Sequence, residues 1–363
     1  MAFVSVGDAD DIHFWSGIPF HMLQALRKSN IRVELISPLR RTFRYRYSVH
    51  KLLNRNFHID RESIALRSYR DQIQEALDRV DVDLIFSAGS SIPVAGLDSK
   101  HQPVIFWTDA VYNSMPSYYP GFDAHTTNAR NALVQERNSL KNATVAVYSS
   151  EWAAMEGRKY YPEYAHKIRV VPFGANLTQA PPRMERPSPK PCTLLFVGVD
   201  WERKGGDIAL ETARLLNRMC IPTKLKIVGC RPPVELPPFA ESLGFISKSN
   251  ERGRKALQAL FEEASFFLFP TRAECSAIVF CEAAAYSLPV ISTWTGGVGT
   301  YVKEGVNGNL LPIDAPPRAY AELIRRIIVD QTGVYRRLCC GARREYEERL
   351  NWETGVRECL SLV

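Results

Sequence analysis

Short apolar runs alternate along this chain with longer stretches in which apolar residues recur every three or four positions. The runs AFVSVG (2–7), RVELIS (32–37), LIFSAG (84–89), PVIFWTD (103–109), TVAVYSS (144–150) and IRVVPFG (168–174) predict strands. The intervening stretches 19–29, 69–80 and 128–142 predict helices. Such alternation is the signature of a parallel sheet flanked by helices. It stops at GANLTQAPPRMERPSPKP (174–191), which is proline-rich and lacks a periodic apolar pattern, so a linker is expected there. It then restarts, with strands predicted over 193–200, 225–230, 265–270 and 289–293 and a helix over 207–217. The tail, 336–363, is helical in pattern, with Gly341 and Asn351–Trp352 as candidate breaks.

The pattern predicts an α/β protein with two Rossmann-like lobes facing across a cleft. The lobes would span 1–174 and 192–349, joined by a linker at 175–191, with 350–363 crossing back onto the first lobe. Ligands of such sheets lie beyond the carboxyl ends of the strands.

Composition adds limits. A chain of 363 residues exceeds what one hydrophobic core usually supports, and 45% hydrophobic with 23% charged residues is a globular balance. No apolar run approaches the roughly 18 residues needed to span a bilayer. The start, MAFVSVGDADD, lacks the order of a signal peptide, so a cytoplasmic location is expected. All eight cysteines fall between Cys192 and Cys359 without a CxxC pair, which suits reduced thiols. The net charge of +7 is partly local: Arg40, Arg41, Arg44, Arg46, Lys51 and Arg55 alternate with Phe43, Tyr45 and Tyr47. A solvated basic loop and a peripheral contact with anionic lipid or an acidic acceptor both remain open for segment 40–55. No nucleic-acid motif accompanies it, and nucleic acid is not an expected partner.

Candidate chemistry gathers in the second half. In TRAECSAIVFCEAAAYSLPVI (271–291) a strand passes through a loop carrying Glu274 into an Ala-rich helix carrying Glu282, two turns in. The first amides of that helix, near Ala277, Ile278 and Val279, suit a phosphate. The carboxylates can accept from hydroxyl groups. Upstream, FVGVDWERKGGD (196–207) sets Arg203 and Lys204 before a glycine-rich helix start, an anion site by composition. In TWTGGVGTYVKEGVNGNLL (293–311) the glycines read as a loop and Asn307–Gly308 as a hairpin signal. In the first half, Ser16 and Gly17 precede a helix start with Pro19 early in it, a plausible phosphate approach, and Asp109 ends a strand where it could orient a hydroxyl. Asp8-x-Asp10 has the form of a metal motif but reads as a turn.

Taken together, SGIPFHMLQAL, VVPFGAN (170–176), FVGVDWERKG and ECSAIVFCE resemble the glycine loop, hinge, basic phosphate loop and Glu-x7-Glu motif of the family 4 retaining glycosyltransferases, which have the GT-B fold. The resemblance covers almost the whole chain. It implies transfer of a sugar from a nucleotide-diphosphate donor to a hydroxyl of a glycan, a lipid-linked or a small-molecule acceptor, in glycan, polysaccharide or glycolipid synthesis. On that resemblance Lys204 and Arg203 hold the diphosphate, joined by Ser276 and the amides of Ala277 to Val279. Glu274 contacts the transferred sugar, Glu282 the ribose, and the base stacks near Gly229 to Pro232 and Ser247. No cofactor or metal is expected if the two cations neutralise the leaving group. The chain departs from the family at Val199, where an Arg is usual, at Cys275 to Ala277 for Gly-Phe-Gly, at Thr108 for a His, and at Asn176 for the hinge Asp. Alternatives are a nucleotide-sugar-binding protein without turnover and a nucleotide-sugar epimerase. A nicotinamide dehydrogenase would need a glycine fingerprint that neither first strand carries.

Overall fold

The computed structural model describes residues 1–40, 59–97, 102–116, 118–119, 122, 127–186, 189–330 and 332–363. The basic segment 40–55 therefore lies outside the described residues except for Arg40, whose backbone exchanges hydrogen bonds with the Gln72 amide at 2.7 and 2.9 Å. The chain divides into two compact units, Met1–Pro172 with Gly355–Val363, and Phe173–Thr354.

In the first unit, strands β1 (Ala2–Val4), β2 (Glu34–Ile36), β3 (Ile85–Ala88), β4 (Val104–Thr108), β5 (Val145–Tyr148) and β6 (Ile168–Val170) form one sheet. Its order is β2-β1-β3-β4-β5-β6, with every pairing parallel. Helices α1 (Ile18–Lys28), α2 (Ser63–Leu77), α3 (Ile92–Ala95), α4 (Thr127–Asn142) and α5 (Glu151–Tyr160) supply the crossovers. Because helices cover both faces, strands such as β4 are buried at every position, which is why they read as unbroken apolar runs.

The second unit repeats the plan. Strands β7 (Cys192–Val197), β8 (Thr223–Val228), β9 (Ala240–Ser242), β10 (Phe266–Phe269), β11 (Val290–Thr293) and β12 (Gly308–Leu311) pair in parallel in the order β12-β11-β10-β7-β8-β9. Its helices are α6 (Gly206–Arg218), α7 (Glu251–Glu263), α8 (Ile278–Ala285), α9 (Val298–Tyr301), α10 (Pro317–Arg325) and α11 (Thr332–Glu348), and α12 (Trp352–Leu360) ends the chain. Each unit has its own buried apolar core.

Several expectations change. β12 pairs in parallel with β11, so Asn307–Gly308 is not a hairpin turn: the Asn307 side chain instead accepts from the Lys303 amide at 2.7 Å and donates to the Tyr301 carbonyl at 2.8 Å. Gly341 does not break its helix. α11 runs through it because a Cβ there would lie 1.9 Å from the Val306 carbonyl oxygen, so the glycine permits close packing. The segment 175–191 is not free-standing in its described part. Arg186 donates to the carbonyls of Phe261, Glu262 and Ala264 at the end of α7 and to that of Tyr286 after α8, and Met184 packs on the second core. Asp8 and Asp10 do form a turn, in which the Asp10 amide donates to the Asp8 carboxylate at 2.9 Å, while Asp10 pairs with Arg27. All eight cysteines are free thiols.

Candidate active site

In each sheet the chain builds outward from the first strand in one direction and then returns to build on its other side. The strand ends at that reversal diverge and leave a crevice, the usual ligand position of open α/β sheets. In the second unit the reversal falls between β7 and β10, and the loops leaving these two strands carry Arg203, Lys204 and Glu274.

The loop after β7 folds tightly onto that after β10. Gly205, the residue before α6, has φ +76°, and a Cβ on it would lie 2.0 Å from the Pro270 carbonyl oxygen, so glycine is required on both counts. The Arg272 amide and the Thr271 hydroxyl donate to the Arg203 carbonyl at 2.8 and 3.2 Å, locking the loops together. As a result the Lys204 ammonium meets the Glu274 carboxylate, with both side chains about nine-tenths buried, and lies 5.0 Å from the centre of the Phe269 ring. Burial pushes the Lys204 pKa down, and the adjacent Glu274 pulls it back up. Arg203 donates to the Asp200 carboxylate at 3.2 Å and to the Ala273 carbonyl at 3.1 Å, and stands 4.0 Å from Glu274. Val199 points outward, 69% exposed, so of the two positions only Arg203 brings a cation here.

Beyond Glu274, Cys275 and Ala277 are buried and Ser276 is half-buried. α8 begins at Ile278 after Ala277, an N-cap residue without a polar side chain, and its first amides, at Ile278 and Val279, carry the helix's partial positive charge. Glu282 is the fifth residue of this helix, just past one turn rather than two. Phe280 packs edge-on against Phe269 at 5.5 Å, which fixes the helix to β10. Glu282 is 1% exposed and meets the ammonium of Lys248, from the loop between β9 and α7. The sequence reading missed Lys248. The two residues lie 34 positions apart, and an isolated lysine in a polar loop gives no signal of its partner. Gly229, at the end of β8, has φ +99°, and its backbone lies against Gly198, whose carbonyl oxygen would be 2.7 Å from an added Cβ.

In the first unit the reversal falls between β1 and β3. Gly17 (φ +78°) precedes α1, and Trp15 and Ser16 before it also adopt positive φ, a rare and costly backbone for residues with side chains. The Trp15 ring fills the space beside Gly89, where a Cβ would lie 2.7 Å away. Asp109 follows β4 directly and is half-buried. Among the described residues no cluster of His, Cys, Asp or Glu could hold a metal ion, and no helix is long and apolar enough to cross a membrane.

Two doubly wound parallel units with this loop geometry are the fold of the GT-B glycosyltransferases. Residues 191–330 match the family described as glycosyl transferases group 1. A D-inositol 3-phosphate glycosyltransferase of Corynebacterium urealyticum is 24% identical over 249 residues, covering 62% of this chain and 58% of that protein. The chain spans less than two thirds of the length of the curated relatives it matches first. The structure is similar to WaaG, a glycosyltransferase involved in lipopolysaccharide biosynthesis, with TM-score 0.65, 16% identity and coverage of 100% of this chain and 98% of that one. It is also similar to Anabaena Alr3699/HepE in complex with UDP and glucose, with TM-score 0.59, 16% identity and coverage of 93% and 88%.

Proposed function

We propose that the chain is a retaining glycosyltransferase that moves a sugar from a nucleotide-diphosphate donor to an acceptor hydroxyl. The observation that carries this reading is the crevice between β7 and β10, where the buried Lys204–Glu274 pair and Arg203 meet, with α8 starting at Ile278 in the same loop. The family match over the same stretch and the UDP bound by a similar structure support it.

The roles follow from charge. An ammonium has three donors and Glu274 engages one of them, so Lys204 keeps others for a diphosphate oxygen, and Arg203 and the amides from Ala277 to Val279 are assigned to the same diphosphate. Glu274 accepts from a hydroxyl of the transferred sugar and Glu282 from the ribose, while the base is assigned to the stretch from Gly229 to Pro232 and to Ser247. Ser276 adds a hydroxyl near the diphosphate. In the first unit Asp109 is assigned to the acceptor hydroxyl and Gly17 to the approach of an anion. As the bond from the anomeric carbon to the diphosphate oxygen breaks, its electron pair passes to the diphosphate. The acceptor oxygen bonds to the anomeric carbon on the same face, and its proton passes to a leaving phosphate oxygen. Cations and helix-end amides already in place favour that developing charge over the ground state. They also do the neutralising that a metal would otherwise supply.

The test is thermal stabilisation of the protein by a panel of nucleotide sugars, followed by donor turnover with and without glycan acceptors. One nucleotide sugar is expected to stabilise the wild type. Lys204→Ala is expected to lower kcat by about 100-fold or more, the effect of removing one preorganised donor, and Glu282→Ala to weaken donor binding. Failure of every nucleotide sugar to bind refutes the reading, and binding without any turnover leaves a nucleotide-sugar-binding protein.

A further inference from the structure

We propose that Lys248 is a specificity-determining positioning residue, one that fixes the direction of the Glu282 carboxylate so that the site selects ribonucleotides over their deoxy forms. The inference rests on the assignment of Glu282 to the ribose. Every residue of α8 except Val279 is buried, and Glu282 is the one ionisable carboxylate in an otherwise apolar run, IVFCEAAA. A charge so placed is costly, and an apolar residue of similar size would hold the helix to its neighbours at least as well. Packing therefore gives no reason for a carboxylate here, whereas a ligand with hydroxyl donors does.

The counter-charge arrives on a constrained loop. The Lys248 carbonyl accepts from the Arg254 guanidinium at 3.0 Å, Asn250 caps α7 through the Gly253 amide at 2.8 Å, and a Cβ on Gly253 would lie 1.9 Å from the Ser247 carbonyl oxygen. The ammonium from this fixed backbone engages Oε1 of Glu282, and among the described residues no hydrogen bond engages Oε2. The Lys248 side chain is 35% exposed, so the pair forms a boundary between the core and the outside. An ionised carboxylate is an acceptor at both oxygens, which suits two vicinal hydroxyl groups. Without the ammonium on Oε1 nothing on this loop fixes the carboxylate's direction, and its match to a diol is lost.

Calorimetric titration of uridine, guanosine and adenosine diphosphates and their 2′,3′-dideoxy forms tests this in the wild type, Lys248→Met, Lys248→Arg and Glu282→Gln. The wild type is expected to bind one ribonucleotide at least about tenfold more tightly than its dideoxy form, the worth of one to two hydrogen bonds to a charged group. Lys248→Met and Glu282→Gln are expected to bring the two affinities within about twofold by weakening the ribonucleotide alone, and Lys248→Arg to restore most of the ratio. A Lys248→Met protein that keeps the ratio, or one that binds both forms more weakly by the same factor, overturns the proposal. Should Lys248→Met fail to fold, the Lys248→Gln protein decides by the same criterion. If Glu282→Gln alone keeps the ratio, the ribose assignment falls and this inference with it. If the wild type binds no nucleoside diphosphate, the donor site itself is refuted.

Discussion

Glu136, on α4, lies inside the first unit with its carboxylate between two tyrosines. The Tyr161 hydroxyl donates to it at 2.7 Å and the Tyr112 amide at 3.1 and 3.2 Å, while Arg61 lies over the Tyr112 ring at 4.7 Å. Burial pushes its pKa up to about 7 against these hydrogen bonds and Arg61, which favour the charged form. The folded protein therefore holds this proton more tightly than the unfolded chain. The stability it contributes is full below the ordinary carboxylate pKa and is lost as pH rises from about 4.5 to about 7, by about 3 kcal/mol. Denaturant titrations at pH 5 and pH 8 are expected to show most of that loss in the wild type and not in Glu136→Gln. No sequence pattern marks Glu136, because its burial depends on residues brought together from the turn after β4, from α4 and from the turn after α5. Lys248 was hidden for the same reason. Lys204 and Glu274 were legible because each lies in the loop that follows an apolar strand, and the parallel pairing of β7 with β10 follows from the alternation of elements.

At the scale of elements, apolar continuity decided what could be read. Strands such as β4, β7 and β10 are buried throughout and announced themselves, whereas β9 is three largely exposed residues and β12 begins Gly-Asn, so neither carries a strand signal. Glycine was misread where the third dimension gives it its task. Helix propensity alone favours alanine over glycine inside a helix by about 1 kcal/mol. At Gly341 that gain is overridden, since the added carbon would strike the Val306 carbonyl oxygen, and Gly341→Ala is expected to lose more than about 2 kcal/mol. Gly333, on the same helix, is exposed, and an added carbon would meet nothing closer than a flexible arginine tip at 3.7 Å. Gly333→Ala is expected to be neutral or to gain up to about 1 kcal/mol. Chemical denaturation of the two variants should move the midpoint down for the first and not for the second.

At the scale of the molecule, two separate cores make two unfolding steps the natural expectation. A nucleotide held only by the second unit at about 100 times its Kd adds about 2.7 kcal/mol to that unit, raising its transition by about 5–10 °C. Differential scanning calorimetry with the nucleotide that binds is expected to shift one component and leave the other in place. The binary pattern located the start of this second unit near Cys192, where the strands resume, because proline-rich composition reads as slack chain. The Arg186 guanidinium changes where the unit begins. By donating to carbonyls at the ends of both α7 and α8, it closes two helices from a residue upstream of the first strand. A gene fragment opened at Cys192 would leave those carbonyls without their donor, so a fragment carrying this unit has to open upstream of Arg186, at the Phe173 boundary.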